Sequence, residues 1–471
     1  MVNEEKKNRY FNEKIKMIKS PVCFLVPIVL GLITVFNPMQ AQTNKKPNII
    51  IIMADDLGYN DISCFGNTNI KTPHLDQMAL EGIKFTDFHS NGAVCSPTRA
   101  ALITGKYQQR TGITGVVTAK SHRHVGLPLS EITFAEALKS NGYVTGMFGK
   151  WHVGYRPEYN PTKQGFDEYK GFVSGNVDYH SHIDQEGHFD WWEGDKQKDD
   201  EGYSTDLITN YSIDFIKRHK DSPFLLYLPH EAPHYPFQGR SSDAFRKEGD
   251  VRGHSSSEYS TIMKDTDSVL ALRKEMIEVM DESIGKVIAT LKQYNIEDNT
   301  LVLFFSDNGA STYGSNKPLR GGKGSLYEGG HRVPAIAWWP TKINGGTITN
   351  ESLMTMDVYP TLLDITGIKN IEQHLDGISF KKLLLNNKGL KKRDLYWQYH
   401  GVTVIRSGQY KLIEKSSKSK INYELFDLLM DVEENTDISS EYPGLIKKMS
   451  KKLKKWKQAM AKEPSLLKVS K

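Results

Sequence analysis

Only three cysteines occur in 471 residues, which excludes a small disulfide-stapled scaffold and leaves packing to hold the core. The chain also lacks a strong excess of either charge. Its formal net charge is +5, and residues 1–42 carry six of the 61 basic and three of the 56 acidic side chains, leaving +2 for the remainder. That near-balance argues against a nucleic-acid binder. No apolar run reaches the roughly 20 residues that a spanning helix needs. The longest, Val22 to Phe36, follows Lys14, Lys16 and Lys19, contains Pro27, and gives way to Gln40, Ala41 and Gln42. This order predicts an export signal over residues 1–42, cleaved near residue 42, and a periplasmic or secreted product without a stable membrane anchor. An uncleaved anchor is the alternative. Cys23 precedes the apolar run, which argues against a lipid-modified cysteine at the mature terminus.

What the chain does contain is a series of short apolar runs, each followed at once by polar or ionisable residues. Asn48–Ala54 leads into Asp55-Asp56, Tyr143–Phe148 into Gly149-Lys150-Trp151-His152, Phe224–Leu228 into Pro229-His230-Glu231, and Leu301–Phe305 into Ser306-Asp307-Asn308. Unbroken apolar runs of this length suit strands buried on both faces, as in a parallel sheet covered by helices. Ligands of such sheets bind beyond the carboxyl ends of the strands, so the four clusters should meet on one rim. Helical patterns over Glu131–Ser140, Ser204–Lys217 and Leu270–Tyr294 have the length of crossovers.

The predicted fold class is therefore α/β: a large mixed, mostly parallel sheet flanked by helices, over residues 43–370. A smaller C-terminal α+β unit is predicted over residues 371–471. There Asp394–Tyr399, Val402–Ile405, Tyr410–Ile413 and Glu424–Phe426 suggest short antiparallel strands, and a Lys-rich helix begins near Gly444. Leu445, Met449, Leu453, Trp456 and Met460 share one face of that helix. The simple reading is a solvated helix docked by its apolar stripe; the alternative is a surface for a membrane or a polyanion.

Cys64 and Cys95 are the two cysteines beyond the signal, and they could form a disulfide or divide into one structural and one chemical residue. The sequence around Cys95 favours chemistry. In Cys95-Ser96-Pro97-Thr98-Arg99-Ala100-Ala101-Leu102-Ile103-Thr104-Gly105-Lys106, Pro97 suits a first helical turn, Ser96 can cap and Gly105 can end the helix. Cys95 then sits at a helix amino end, where free N–H groups favour an anion, with Arg99 one turn on. Asp55, Asp56, Asp307 and Asn308 supply only oxygen donors, which suits a hard divalent ion such as Ca²⁺ better than zinc.

The C-x-P-x-R stretch with its Thr-Gly-Lys ending resembles the signature of type I sulfatases, members of the alkaline phosphatase superfamily, and the resemblance runs from about Asn48 to Glu434. It implies that a formylglycine-generating enzyme oxidises Cys95 to formylglycine (3-oxoalanine), and that hydrolysis of a sulfuric ester passes through a formylglycine-sulfate intermediate. It implies one metal ion, Ca²⁺ with Mg²⁺ as the lesser alternative, held by Asp55, Asp56, Asp307, Asn308 and residue 95. Gly149-Lys150-Trp151-His152 is similar to the family's G-K-W-H element, which places Lys150 on sulfate and His152 on a formylglycine hydroxyl. By the same resemblance His234, in Ala232-Pro233-His234, protonates the leaving alcohol, and Lys323, in the Gly-rich stretch Arg320–Gly330, joins Arg99 and Lys150 in binding sulfate. The implied substrate is a sulfated saccharide or polysaccharide. A phosphomonoester or phosphodiester hydrolase, or an unmatured sulfated-glycan-binding protein, are the alternatives.

His180-Ser181-His182-Ile183-Asp184 has the H-x-H-x-D spacing of a dinuclear metal site, but Gln185 stands where a further histidine is expected. The preferred reading is a sugar-binding insertion in which His180, His182, Trp191 and Trp192 line the pocket, with Arg320 as a further substrate contact.

Overall fold

Seven consecutive buried residues, Asn48–Ala54, form β1, the central strand of the protein. The computed structural model describes residues 45–249, 263–369, 371–417, 420–462 and 465–467. The expected export signal lies outside them. In chain order the sheet adds β2 (Ile83–His89), β3 (Val144–Lys150), β4 (Glu168–Phe172), β5 (Trp192–Glu193) and β6 (Lys196–Gln197). It continues with β7 (Phe224–Pro229), β8 (Thr300–Ser306), β9 (Arg332–Trp338), β10 (Thr347–Thr349) and β11 (Leu353–Met354). The strand order is β10-β2-β9-β8-β1-β7-β3-β4-β5-β6, with β11 also paired to β2, giving 11 strands. The central block β8-β1-β7-β3-β4 is parallel, while β9 runs against β8 and β2. This is the mixed, mostly parallel sheet that the apolar runs predict.

Alternation along β1 divides the core. Ile49, Ile51 and Met53 pack with residues of α2 (Cys95–Thr104), α3 (Phe134–Lys139) and α6 (Val358–Thr366). Ile50 and Ile52 pack on the opposite face with α1 (Pro73–Glu81), α4 (Ser204–His219) and α5 (Thr266–Gln293). Caps move some helix ends from their predicted places. Thr133 and Glu136 form a capping box that starts α3 after the predicted Glu131, and Asp265 accepts from the backbone of Asp267, starting α5 before Leu270.

A second sheet of four antiparallel strands follows: β12 (Asp394–Tyr399), β13 (Val402–Ser407), β14 (Tyr410–Ser416) and β15 (Ile421–Asp427). Its residues alternate in destination, as the pleat requires. Ile405, Leu412 and Leu425 pack on Met449 and Leu453 of α7 (Pro443–Met460), while Val404, Ile413 and Phe426 face a cluster with Met354, Met356 and Leu326. Trp456 and Met460, at the end of α7, join that second cluster, and Trp456 stacks on Tyr396 with ring centres 5.1 Å apart. The predicted apolar stripe of this helix is thus its packed face.

A buried ionic network ties this sheet to the large one. Lys411 donates to Glu328 (2.9 Å) and bridges Glu434 (2.8 Å), all three side chains being inaccessible to solvent. Arg406 reaches Asp87 at 2.7 Å, and the Trp397 indole donates to the Ser90 carbonyl.

Candidate active site

The parallel register brings the carboxyl ends of β1, β3, β7 and β8 to one edge. Met53 lies opposite Pro229 and Ala54 opposite Ser306, so the residues that follow each strand emerge side by side. Backbone hydrogen bonds extend the sheet beyond its last residues: His230 N–H donates to Met53 O, and Asp307 N–H to Ala54 O. Gly149 permits the approach of β3 to β7. Its φ is +123°, and a Cβ there would lie 2.2 Å from the Pro229 carbonyl oxygen.

Three carboxylates and three cations interlock at this edge. Arg99 donates to Asp307 Oδ2 through Nη2 (2.9 Å) and Nε (3.2 Å), approaches Asp55 at 3.6 Å, and donates through Nη1 to the Lys150 carbonyl (2.8 Å). Lys150 donates to Asp55, and Lys323 donates to Asp56 at 2.8 Å. Asn308 donates its amide to the other Asp56 oxygen at 2.7 Å. Arg99, Lys150, Asp55, Asp56, Asp307 and Asn308 are all essentially buried.

Cys95 opens α2, preceded by Val94, which provides no side-chain cap. The first N–H groups of the helix are therefore free to face an anion beside the thiol. Cys95 is buried and free, as is the separate, half-buried Cys64, so the two form no disulfide. Burial pushes the Cys95 thiol above its ordinary range. A thiol so placed is a weak nucleophile as it stands.

His152 turns back from the end of β3 with φ +58°, its Nε2 3.0 Å from the Val117 carbonyl and its Nδ1 buried without a partner. Burial, reinforced by Lys150 and Arg99, holds its pKa well below the usual histidine range. His234 Nδ1 contacts the Tyr235 carbonyl and Nε2 lies 3.2 Å from Lys323 Nζ. These partners assign the proton to Nδ1 and leave Nε2 as acceptor. Burial and then Lys323 depress His234 to about 3. Asp307 is pushed up to about 6, by burial first and by the neighbouring Asp55 carboxylate second. Burial alone would raise Asp56 too, but Lys323 and His234 together bring it below its ordinary value.

The donor set fits a divalent cation. Asp55, Cys95 and Asp307 bring ligand atoms within 4.8 Å of one another, as do Asp55, Asp56 and His234. Asp55 Oδ1 and Asn308 Oδ1 are buried with no hydrogen-bond partner, which is costly unless a ligand completes them. Nearly all donors are oxygens, as Ca²⁺ or Mg²⁺ requires.

A pocket of about 190 Å³ opens from Cys95, His152, His234 and Lys323. Its outer wall contains Val117, Tyr155, Asn176, Asp184, Gln185 and Glu186. The structure thus brings together Asp55, Asp56, Cys95, Arg99, Lys150, His152, His234, Asp307, Asn308 and Lys323. It places the expected sugar contacts differently. His182 is 1% exposed and stacks on the fully buried Trp191 at 4.1 Å, so both close the core of the insertion instead of facing a ligand. His180 packs on Tyr203 with its Nε2 at the Gly239 carbonyl, and Trp192 donates to Asp190. Arg320 lies over Tyr327 and donates to the Glu434 carbonyl, bracing the loop that carries Lys323. None of these lines the pocket, and among the described residues His180, His182 and Asp184 form no group able to hold a metal.

Two residues with evident influence on the site carry no motif. The Val117 carbonyl orients His152, and Glu434 accepts from the Glu328 backbone at 2.6 Å, fixing the far end of the Lys323 loop. Both act through main-chain contacts across the fold. Neither offered a signal in the sequence.

Comparison with known proteins follows the same residues. The sulfatase family model matches residues 47–368, and a model of the N-sulphoglucosamine sulphohydrolase C-terminal region matches residues 322–459. Human arylsulfatase A is 33% identical over 407 residues, covering 78% of this chain and 74% of that protein. Rat N-acetylgalactosamine-6-sulfatase is 30% identical over 424 residues, covering 82% and 74%. The crystal structure of Ps i-CgsB in complex with k-i-k-neocarrahexaose superposes with a TM-score of 0.78 at 30% identity, covering 89% of this chain and 94% of that one.

Proposed function

The chain belongs to the sulfatase family and is a sulfatase, and from that premise we propose that it removes O-sulfate from a sulfated carbohydrate after Cys95 has been converted to formylglycine. The convergence at Cys95 carries this reading: a buried thiol at an uncapped helix start, beside three carboxylates, three cations and two orphaned oxygens. The hydrated aldehyde at residue 95 would supply a nucleophile able to release sulfate by reverting to the carbonyl. A calcium ion held by Asp55, Asp56, Asp307 and Asn308 would supply positive charge against the sulfate oxygens. A hard divalent ion matches this donor set, and calcium fits its mixed carboxylate and amide oxygens better than magnesium, which demands near-ideal octahedral geometry.

The remaining roles belong to side chains of the chain itself. Arg99, Lys150 and Lys323 stabilise charge on the transferring sulfuryl group, fixed in place by their buried carboxylate partners. Asp307, held by Arg99, accepts the proton of the attacking hydroxyl. His234 is the group that protonates the departing oxygen, while Lys323, hydrogen-bonded to its Nε2, keeps its charge for the sulfuryl group. His152, neutral and with Nδ1 unpartnered, takes up the proton that must leave residue 95 when sulfate is released.

The pocket wall of Tyr155, Asn176 and Asp184 to Glu186 offers hydrogen-bonding groups suited to sugar hydroxyls. The neocarrahexaose bound by a 30% identical neighbour and the N-acetylgalactosamine-6-sulfatase name of a relative favour the same substrate class. We divide the mature protein into a catalytic unit, residues 43–370, and a C-terminal unit, residues 371–471. Among the described residues no helix is long and apolar enough to cross a membrane, and export with signal cleavage near residue 42 completes the proposal.

The test combines mass spectrometry of the Cys95 peptide from the native host with sulfate release from a panel of regiochemically defined sulfated saccharides. The expected outcome is an aldehyde at residue 95 and turnover of at least one saccharide, both lost in Cys95→Ala. Multiple turnovers by that variant would refute the nucleophile assignment.

A further inference from the structure

Helix α7 carries seven lysines and no acidic residue. Two are spent on the fold: Lys452 pairs with Asp394 and Lys457 with Glu414. Lys447, Lys448, Lys451, Lys454 and Lys455 are exposed and have no carboxylate partner among the described residues, and neither has Lys462 just beyond the helix. Nothing in the packing of the helix calls for these charges, because its docked face is supplied by Met449, Leu453, Trp456 and Met460.

The position of this face relative to the nucleophile is informative. The pocket that holds Cys95 shares Val116 with a groove of about 920 Å³, which runs between the loop near Gln109 and the β12–β13 turn to Lys457 and Lys462. That groove in turn shares Lys457 and Ala461 with a cleft of about 610 Å³ lined by Lys447, Lys451 and Lys454. The three depressions therefore adjoin one another through shared lining residues, in order from the nucleophile to the lysine face. Along the middle one, Tyr399 and His400 present adjoining rings, and the buried Gln109 amide oxygen has no hydrogen-bond partner. Lys447 to Lys462 spans roughly 22 Å at 1.5 Å per residue, the length of several sugar rings and too long for a single small ester.

We propose that these joined clefts form a track for a sulfated polysaccharide, in which sulfates outside the reaction pocket are held by Lys447, Lys451, Lys454 and Lys462 while one sulfate sits at residue 95. The proposal rests on the reading of the substrate as a sulfated carbohydrate and adds that the substrate is polymeric. Charge complementarity, continuity with the nucleophile pocket and a helix whose apolar stripe is already buried favour such a chain over a lipid surface.

The experiment measures dextran sulfate binding by fluorescence anisotropy at 0.1 M salt, in a Cys95→Ala background so that nothing is consumed. The triple substitution Lys447→Gln, Lys451→Gln, Lys454→Gln should weaken binding about ten-fold or more. A control triple at exposed lysines outside the clefts, Lys388→Gln, Lys391→Gln, Lys392→Gln, should change it less than two-fold. Unsulfated dextran should not bind. Undiminished binding in the first triple, an equal loss in the control, or equal affinity for double-stranded DNA would overturn the track. Failure of the underlying reading is distinct: the unsubstituted protein would then release no sulfate from any sulfated saccharide, whatever the binding data show.

Discussion

Replacing Lys411 by Met tests the ionic network between the two sheets. The lysine is fully buried between Glu328, which keeps Arg332 at 3.3 Å, and Glu434, for which Lys411 is the one cation among its described ion pairs. Removing a partner from a buried pair typically costs about 3–5 kcal/mol, because a charge is left uncompensated. The cost is capped here, since Glu434 can take up a proton instead: with an unperturbed pKa of about 4.3, protonation at pH 7 costs about 3.7 kcal/mol. The expected loss is therefore about 3 kcal/mol, a fall in Tm of several degrees for a chain of this length. Calorimetry at pH 7 and pH 5 separates this from a simple loss of packing. The cap falls by about 1.4 kcal/mol per pH unit, so the deficit should shrink by more than half at pH 5. The double variant Lys411→Met with Glu434→Gln should recover most of the stability. An equal deficit at both pH values, with no recovery in the double variant, would refute the reasoning.

Leu453→Ala, at a fully buried position between α7 and the second sheet, should cost about 2–5 kcal/mol by denaturant titration. Stability should also fall as the pH drops. Burial holds His89 and His331 below the usual histidine range, while Arg406 and His89 outweigh burial to hold Asp87 far below the carboxylate range. In each case the unfolded chain binds more protons, so stability is full at neutral pH and declines below about 6.5 for the histidines and about 4 for the carboxylate. Tm measured from pH 8 to pH 3 checks this, and Arg406→Gln should make the decline shallower, because without that guanidinium Asp87 and His89 both bind protons more readily in the folded chain. Calcium at 100 times its Kd should add about 2.7 kcal/mol of stability to chelator-treated protein, and Asp55→Asn should abolish the gain. Inorganic sulfate should add further protection only when calcium is present.

Much of the architecture is legible because the strands are so apolar. β1 begins and ends at the predicted residues, and β12 does as well, since each apolar or alternating run is bounded by residues that cannot continue it. Helix starts were less legible. Asp265 and Thr133 decide them through single side-chain hydrogen bonds that periodicity does not register. The convergence of Asp55, Asp56, Lys150, His152, Asp307 and Asn308 on one edge follows from strand ends in a parallel sheet, which a pattern of apolar runs can reveal, whereas Cys95, Arg99, His234 and Lys323 were joined to them only by the family resemblance. The insertion misled for a physical reason. Histidine and tryptophan pack as readily against each other as against a sugar, and the pairing of His182 with Trp191 is visible only once Trp191 is known to be buried. Glu434 and Val117 were illegible because their influence passes through backbone groups distant in sequence.

The charge at the site links the metal to the substrate. In the described arrangement Asp55, Asp56 and Asp307 are matched by Lys150, Lys323 and Arg99, so the centre is close to neutral and its cations are occupied by carboxylates. A neutral centre has little reason to draw in a sulfate monoester. A divalent ion held by these carboxylates would add two positive charges to that balance and so favour an anion in the space beside residue 95. The six residues form one paired salt network, and with a divalent ion among them they would favour sulfate over an uncharged group. The pairing accounts for why the lysines stand beside the carboxylates instead of apart from them, since a buried lysine without a partner would lose its proton.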